Sequence, residues 1–238
     1  MQTILWFWSP RYGVAGAAGK LARITATLVF TLTAGLSVAQ ADPVRITAFG
    51  DSLTAGYGLA QDQGLVPQLQ AWLSARGHDV RVANAGVSGD TTSGGVLRLD
   101  WTLADRPDAM IVALGGNDLL RGIDPALSRA NLATILDRLA AEGIPALLVG
   151  LPAPGNYGPE FQQAFDAMYP ELAQAHDALL VPDLLAPIQA QVDAGRPATT
   201  LMQADMIHPN PDGVALVVEG LGPAVEALIA RVEEARGS

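Results

Sequence analysis

Short apolar runs alternate with longer amphipathic segments along most of this chain, and this alternation restricts the possible folds more than any other feature. The apolar runs are continuous rather than interrupted at every second position, which is typical of strands buried on both faces. Strands that alternate with helices form parallel sheets with a layer of helices on each face. The sequence therefore predicts an α/β fold, a three-layer doubly wound parallel sheet.

The hydrophobic pattern also predicts where the main elements lie. Strands are expected at Val44–Phe49, Val80–Ala83, Ala109–Leu114, Ala146–Leu151 and Ala178–Val181. Longer helices are expected at Leu65–Ala75, Val96–Ala104, Leu127–Ala141, Pro159–Ala175 and Pro211–Arg236. In doubly wound sheets, reactive groups collect beyond the carboxyl ends of the strands. The residues that follow the strands are therefore the first candidates for a functional site.

Residues 1–41 are predicted to be a signal peptide, and residues 42–238 to form one domain. The basic residues of the leader are Arg11, Lys20 and Arg23. An apolar stretch over 24–38 follows, and then the small-x-small sequence Ala39-Gln40-Ala41. A basic region, an apolar core too short to span a bilayer and a cleavage site are typical of export. A buried N-terminal helix is the alternative, and a start near Val14 would shorten the leader. We expect an exported protein, periplasmic or secreted.

The mature part of the chain is strongly acidic. The sequence has 14 basic and 24 acidic residues, and three of the bases lie in the leader, so eleven arginines remain and the net charge is −13. Such a chain without a basic cluster is a poor candidate for binding nucleic acid or an anionic membrane. No apolar run after the leader is expected to span a membrane, so stable insertion is not expected after processing. The absence of cysteine excludes disulfides and thiolate chemistry.

Four short motifs follow one another at the predicted strand ends. Ser52 follows the first strand, Gly86 the second and Asn117 the third, while Asp205 and His208 lie in the loop before the last helix. A serine with a carboxylate and a histidine three residues apart provides the groups needed for nucleophilic acyl transfer. Asp205 would orient His208 toward Ser52, and the Gly86 N–H and the Asn117 amide would donate hydrogen bonds to an oxyanion.

Each motif also has a purely structural interpretation. Ser52 can belong to a strand-ending turn, Gly86 to a plain turn, Asn117 to a helix N-cap, and the Asp205–His208 pair to the cap of the final helix. The order of the four motifs at successive strand ends favours the functional interpretation. The two other histidines, His78 and His176, are expected at helix ends on the surface. None of the three histidines has the spacing of a metal ligand pair, so no metal or cofactor is expected.

The motifs resemble those of the SGNH or GDSL hydrolases, and most closely the bacterial exported arylesterase branch with its multifunctional thioesterases and lysophospholipases. The similarity covers essentially the whole mature chain and includes Asn156-Tyr157-Gly158 and Ile207-His208-Pro209-Asn210. It implies the flavodoxin-like SGNH hydrolase fold. The resemblance also assigns site residues: the triad Ser52, Asp205 and His208, the oxyanion hole Ser52, Gly86 and Asn117, and the substrate-binding residues Asn156 and Tyr157.

The sequence thus predicts a serine esterase that hydrolyses small-molecule esters, and thioesters as a further class, through an acyl-enzyme. One alternative is a carbohydrate O-acetyl esterase, because the same fold and triad serve that reaction. The other is a non-catalytic carrier of acyl groups or lipids that has kept the fold. Intact catalytic side chains favour the enzyme over the carrier.

Overall fold

A computed structural model describes residues 42–237 of the chain, and the predicted signal peptide lies outside these residues. The strands of this part are β1 (Val44–Gly50), β2 (Val80–Gly86), β3 (Ala109–Ala113), β4 (Ala146–Val149) and β5 (Leu179–Val181). They form one parallel sheet in the order β2-β1-β3-β4-β5. This is the flavodoxin-like order, which reverses direction between β1 and β3. The predicted fold class is confirmed.

Helices cover both faces of this sheet. They are α1 (Ser52–Ala55), α2 (Leu65–Ala75), α3 (Thr92–Leu103), α4 (Gly116–Leu120), α5 (Pro125–Ala141), α6 (Pro159–Ala175), α7 (Ala186–Asp193) and α8 (Pro211–Gly237). Helices α2, α7 and α8 share one hydrophobic core with the sheet, and α3, α5 and α6 share the other. The predicted long helices are all present, whereas α1, α4 and α7 had no predicted range.

The continuous apolar character of the strands follows from this three-layer arrangement. Successive residues of a strand point to opposite faces. In β3, Ile111 therefore packs into the core formed with α2 and α8, while its neighbours Met110 and Val112 pack into the core formed with α5 and α6. All three side chains are almost completely buried, so neither face of the strand can tolerate a polar position.

The last helix, α8, is long and apolar enough to cross a membrane by length and composition, with a mean hydropathy of 1.7 over its best window. The expectation that no such run follows the leader was therefore wrong. Half of that window is buried inside the protein. Val217, Leu221, Val225 and Leu228 lie in the core that α8 shares with α2. The apolar face of α8 is thus occupied by the packing of the domain itself.

Strand β2 lies at one edge of the sheet, where Gln70 of α2 covers part of its backbone. The Val82 N–H donates to Gln70 Oε1 at 2.8 Å, and Gln70 Nε2 donates to the Val80 carbonyl at 3.0 Å. One side chain thus satisfies a donor and an acceptor that an edge strand otherwise presents to other chains. The strand ends at Gly86, three residues beyond its predicted end.

Candidate active site

Ser52 is held at the carboxyl end of the central strand β1. It is the first residue of α1, and the preceding Asp51 caps this helix by accepting the Leu53 N–H at 3.0 Å. The first N–H groups of a helix have no acceptor within the helix. The turn therefore leaves the backbone N–H of Ser52 available at the surface where its hydroxyl also lies.

A tight loop before α8 carries the acid and the histidine. An isolated antiparallel bridge between Met202 and Pro209 closes this loop, and the Gln203 N–H donates to the His208 carbonyl at 2.7 Å. Within it, Met206 adopts a φ of 57°, a left-handed conformation that is costly for a residue with a side chain. This turn brings Asp205 back toward the imidazole.

The structure brings Ser52, His208 and Asp205 into one hydrogen-bonded chain. His208 Nε2 lies 2.8 Å from Ser52 Oγ, and His208 Nδ1 lies 2.7 Å from Asp205 Oδ2. Because a carboxylate only accepts hydrogen bonds, Nδ1 carries the proton and Nε2 is left to accept from the serine hydroxyl. The imidazole also packs against the Tyr57 ring, with 4.8 Å between ring centroids. This arrangement can deprotonate Ser52 and stabilise the resulting imidazolium.

Asp205 is fixed in its ionised form by the same loop. The backbone N–H of His208 donates to Asp205 Oδ1 at 3.0 Å, its ring donates to Oδ2, and the Ile207 N–H adds a third bond at 2.9 Å. These donors lower the pKa of Asp205 to about 2. Asp205 therefore carries its negative charge at neutral pH and well below it.

The two other histidines are engaged elsewhere. His78 Nε2 lies 3.0 Å from Glu226 Oε1, and His176 Nε2 lies 3.0 Å from Asp137 Oδ1. Over residues 42–237, no group of three or more histidine, cysteine, aspartate or glutamate residues is arranged to hold a metal ion. His208 is the histidine that contacts a serine hydroxyl.

Asn117 lies in the short helix α4 beyond β3, and its amide faces the residue before Ser52. Asn117 Nδ2 donates to Asp51 Oδ2 at 3.4 Å. The N-cap of α4 is Gly115, whose φ of 119° suits glycine alone and whose missing side chain leaves room for the Tyr169 hydroxyl. The interpretation of Asn117 as an N-cap is therefore wrong.

A buried carboxylate next to Asn117 ties α4 to the segment after β2. Asp118 is fully buried and accepts hydrogen bonds from the Thr92 N–H at 2.8 Å, the Thr92 hydroxyl at 2.6 Å and the Ser128 hydroxyl at 2.9 Å. At the end of the same helix, Arg121 Nη2 donates to the Gly89 carbonyl at 2.7 Å. The segment from Gly89 to Thr92 is thus fastened to α4 at two points.

Gly86 does not have the geometry expected of an oxyanion donor. The Val87 N–H donates to the Gly50 carbonyl of β1, and successive N–H groups of a strand point in opposite directions. The Gly86 N–H therefore points to the free edge of the sheet, where it donates to Asn84 Oδ1 at 2.9 Å. A Cβ at Gly86 would lie 2.3 Å from the Ala55 nitrogen, so this glycine is required for α1 to pack on β2.

An apolar groove of about 470 Å³ opens beside Ser52. It runs over the ends of the strands toward α7, and its polar side chains are Asp51, Ser52, Asn117, Asp183 and Gln189. Its apolar lining consists of Leu53, Leu119, Leu120, Leu151, Pro152, Leu185, Ile188, Val192, Ala198, Met202, Met206 and Ile207. The shape and composition of the groove suit a flexible hydrocarbon chain attached to a polar reacting group.

Asn156 and Tyr157, which the resemblance assigns to substrate binding, do not line this groove. They lie in a 3₁₀ turn, Gly155–Tyr157. The Tyr157 hydroxyl donates to the Leu120 carbonyl at 3.3 Å, and its ring packs on Phe161. Tyr157 thus supports a groove-lining residue from behind, and the geometry gives Asn156 no contact with the groove.

Asp51, the residue before the nucleophile, is a second buried carboxyl group, with only 3% of its surface exposed. Burial raises the pKa of Asp51 to about 6, against the lowering effects of the Leu53 N–H, the His208 ring and the Asn117 amide. A folded-state pKa above the ordinary value of about 3.9 means that the unfolded chain ionises first as the pH rises. The contribution of Asp51 to the stability of the fold is therefore fully present below about pH 4, and it is lost as the pH rises through about 6.

We expect Asp51→Asn to stabilise the fold at neutral pH and to slow turnover. The variant keeps the helix cap and removes the cost of burying a charge, up to about 3 kcal/mol. It also loses the acceptor that orients the Asn117 amide. Unfolding by denaturant at pH 4 and pH 8, with kcat at pH 8, measures both effects. A pH dependence of stability equal to that of the wild type would contradict this account.

The chain has clear relatives among known proteins. The model of the GDSL-like lipase/acylhydrolase family matches residues 48–216. The esterase TesA of Pseudomonas aeruginosa is 38% identical over 191 residues, which cover 80% of this chain and 92% of that protein. The thioesterase 1/protease 1/lysophospholipase L1 of Escherichia coli K12 is 32% identical over 203 residues, covering 84% of this chain and 91% of that protein.

Solved structures show the same similarity. The crystal structure of AlinE4, an SGNH-hydrolase family esterase, is 43% identical in sequence. It superposes with a TM-score of 0.64, covering 79% of this chain and 98% of AlinE4. The match therefore extends over nearly the whole of that esterase.

Proposed function

The chain belongs to the GDSL-like lipase/acylhydrolase family and is a serine esterase, and from this membership we propose that Ser52, His208 and Asp205 are its catalytic triad. One observation carries the proposal: His208 lies 2.8 Å from Ser52 Oγ through one ring nitrogen and 2.7 Å from Asp205 through the other. Asp205 fixes the tautomer of His208, so that Nε2 can take the proton of the Ser52 hydroxyl.

Hydrolysis then takes two steps. Ser52 Oγ attacks the acyl carbonyl carbon while His208 Nε2 takes the hydroxyl proton, and a tetrahedral oxyanion forms. The bond to the leaving alcohol breaks as His208 returns the proton to it, which leaves the acyl group on Ser52. Water attacks this acyl-enzyme with His208 again as the base, and the acid is released with Ser52 restored.

We propose that the oxyanion is stabilised by the Ser52 N–H, the Asn117 amide and the Gly89 N–H. Gly89 replaces Gly86 in this role, because it lies beyond the end of β2 and its φ of 82° is accessible to glycine. A Cβ at Gly89 would meet only Arg121 Nη2, at 3.8 Å, so its backbone is open to approach. The hydrogen bond from Arg121 to the Gly89 carbonyl holds Gly89 near α4.

The apolar groove is proposed to hold the acyl chain. Leu53 and Leu119 begin its apolar wall close to Ser52 and Asn117, so a chain can lie there while its carbonyl meets the nucleophile. This lining favours hydrocarbon over sugar, and it therefore favours acyl esters over carbohydrate O-acetyl esters. Thioesters present the same acyl part, and one relative is named a thioesterase. We propose that thioesters are accepted as well.

A series of p-nitrophenyl esters tests the proposed acyl site. The value of kcat/KM is expected to rise from acetyl to longer chains, because each methylene group buried in the groove contributes about 0.8 kcal/mol at most. A variant with a polar wall, Ile188→Ser, should flatten the rise while leaving acetate hydrolysis comparatively unaffected. A preference for acetate over all longer chains would support the O-acetyl esterase alternative.

Export is proposed from the leader, with cleavage after Ala41. The small residues Ala39 and Ala41 follow the apolar core of the leader at the distance that a signal peptidase requires. N-terminal sequencing of the protein from the exported fraction is expected to give a chain that begins at Asp42. A mature chain that begins upstream of Ile24 would contradict export through this leader.

A further inference from the structure

We propose that Asp183 is a specificity-determining residue at the far end of the acyl groove. It favours acyl chains whose far end carries a positive charge or a hydrogen-bond donor, and it disfavours chains that end in a carboxylate. The inference rests on the proposed function, because it places the acyl chain in this groove.

The sheet topology sets the distance between Asp183 and the nucleophile. Ser52 follows β1, and Asp183 follows β5 after a single intervening residue. The strands between them are neighbours in the order β1, β3, β4, β5. Adjacent strands lie about 4.8 Å apart, so three spacings separate the two residues by about 14 Å. A chain bound at Ser52 that follows the strand ends therefore reaches Asp183 only with its far end.

The wall between these two points is apolar, which makes the carboxylate at its end unusual. Leu151 and Pro152 follow β4, and Leu185 and Ile188 follow β5. A groove meant for a methyl-terminated chain alone would end in another apolar side chain, because a carboxylate that loses water without gaining a partner destabilises the complex. Beyond the end of β5, the groove is instead lined by a group that accepts hydrogen bonds.

Asp183 has an oxygen available for a ligand. Its Oδ1 accepts the Leu185 N–H at 2.8 Å, and over residues 42–237 its carboxylate forms no ion pair. Within the same part of the chain, no arginine lines the groove. The other carboxyl group of the lining, Asp51, is engaged by the Leu53 N–H and the Asn117 amide. Asp183 is thus the carboxylate of the groove that is free to meet a donor or a cation.

Three p-nitrophenyl esters of equal acyl length test the inference, with a methyl group, an ammonium group or a carboxylate at the far end. In the wild type, we expect kcat/KM to be about 3- to 30-fold higher for the ammonium ester than for the carboxylate ester, as for a half-exposed charge pair and its like-charge counterpart. The ratio should fall at high salt. It should also be larger for a chain that spans the groove than for a short one.

Asp183→Asn isolates the contribution of this charge. Asparagine preserves the bond to the Leu185 N–H, and the ammonium-to-carboxylate ratio should fall close to 1. The matched control is Asp100→Asn, which makes the same charge change on α3, on the other face of the sheet. Its ratio should equal that of the wild type. The methyl-terminated ester serves as the common reference for all three proteins.

The outcomes separate this inference from the proposed function. If the methyl-terminated ester is hydrolysed but the charge ratio is the same in the wild type and in Asp183→Asn, the specificity role is wrong and the acyl site is unaffected. A ratio that falls equally in Asp100→Asn would assign the effect to the overall charge and would also overturn the inference. If the wild type hydrolyses none of the three esters, both proposals are wrong.

Discussion

Ser52→Ala is expected to lower kcat by at least about 10⁴-fold, because it removes the nucleophile and with it the covalent route through the acyl-enzyme. The fold should be unchanged, since the alanine methyl group fits wherever the serine Cβ lies and the cap of α1 comes from Asp51. Ester hydrolysis and a thermal melt on the same sample measure the two effects.

A fluorophosphonate probe identifies the nucleophile directly. It should label the wild-type protein at Ser52 and leave Ser52→Ala unlabelled. Ser88→Ala is the matched control, because Ser88 lies in the segment after β2, whereas the His208 ring bonds to the Ser52 hydroxyl; it should retain both labelling and turnover. Labelling at Ser88 or Ser93 would contradict the assignment of Ser52 as the nucleophile.

Asn117→Ala is expected to lower kcat by roughly 10²- to 10³-fold with little change in KM, as for a donor used mainly in the transition state. Because Gly115 is the N-cap of α4, the substitution removes no cap and the melting temperature should change little. Asn117→Asp is the matched variant: it keeps the shape, replaces the donor by a negative charge and should be at least as slow. A near-normal kcat in either variant would leave the oxyanion to the backbone donors alone.

The sequence predicted the elements that are long enough to contain several repeats of the hydrophobic pattern, and it missed the short helices. Helices α2 and α6 have the predicted bounds, because eleven and seventeen residues give several repeats of the helical period. Helices α1 and α4 have four and five residues, which is too short for any period to appear. Helix α7 forms one wall of the groove, and its eight residues place only Ile188 and Val192 at helical spacing, which is too few to predict a helix.

The glycine proposed to bind the oxyanion illustrates why the end of a strand matters for a site. The apolar run of β2 ends at Ala83, yet Asn84 and Gly86 continue to pair with Ala48 and Gly50 of β1. Tertiary pairing thus extends the strand through residues with low strand propensity. Gly86 was expected in the loop, but the first glycine beyond the strand is Gly89. The sequence alone does not distinguish Gly86 from Gly89, whereas the pairing of β2 with β1 places Gly86 within the strand and Gly89 beyond its end.

The groove and its charge were also out of reach of motif analysis. Asp183 belongs to none of the four motifs, and it enters the site only because β4 and β5 are neighbours in the sheet. By contrast, Asp205 and His208 could be predicted, since three residues in one loop fix their contact without knowledge of the rest of the fold.

The glutamine at the edge of the sheet has a consequence for how this protein behaves in a crowded solution. By occupying the Val80 carbonyl and the Val82 N–H, Gln70 takes the place of part of a sixth strand. A parallel sheet assembles slowly, because its strands are distant in sequence. During that time an open edge could recruit an identical strand from another molecule and begin a fibril. Since Gln70 belongs to α2, packing this one helix against the sheet blocks this part of the β2 edge to a strand of another molecule.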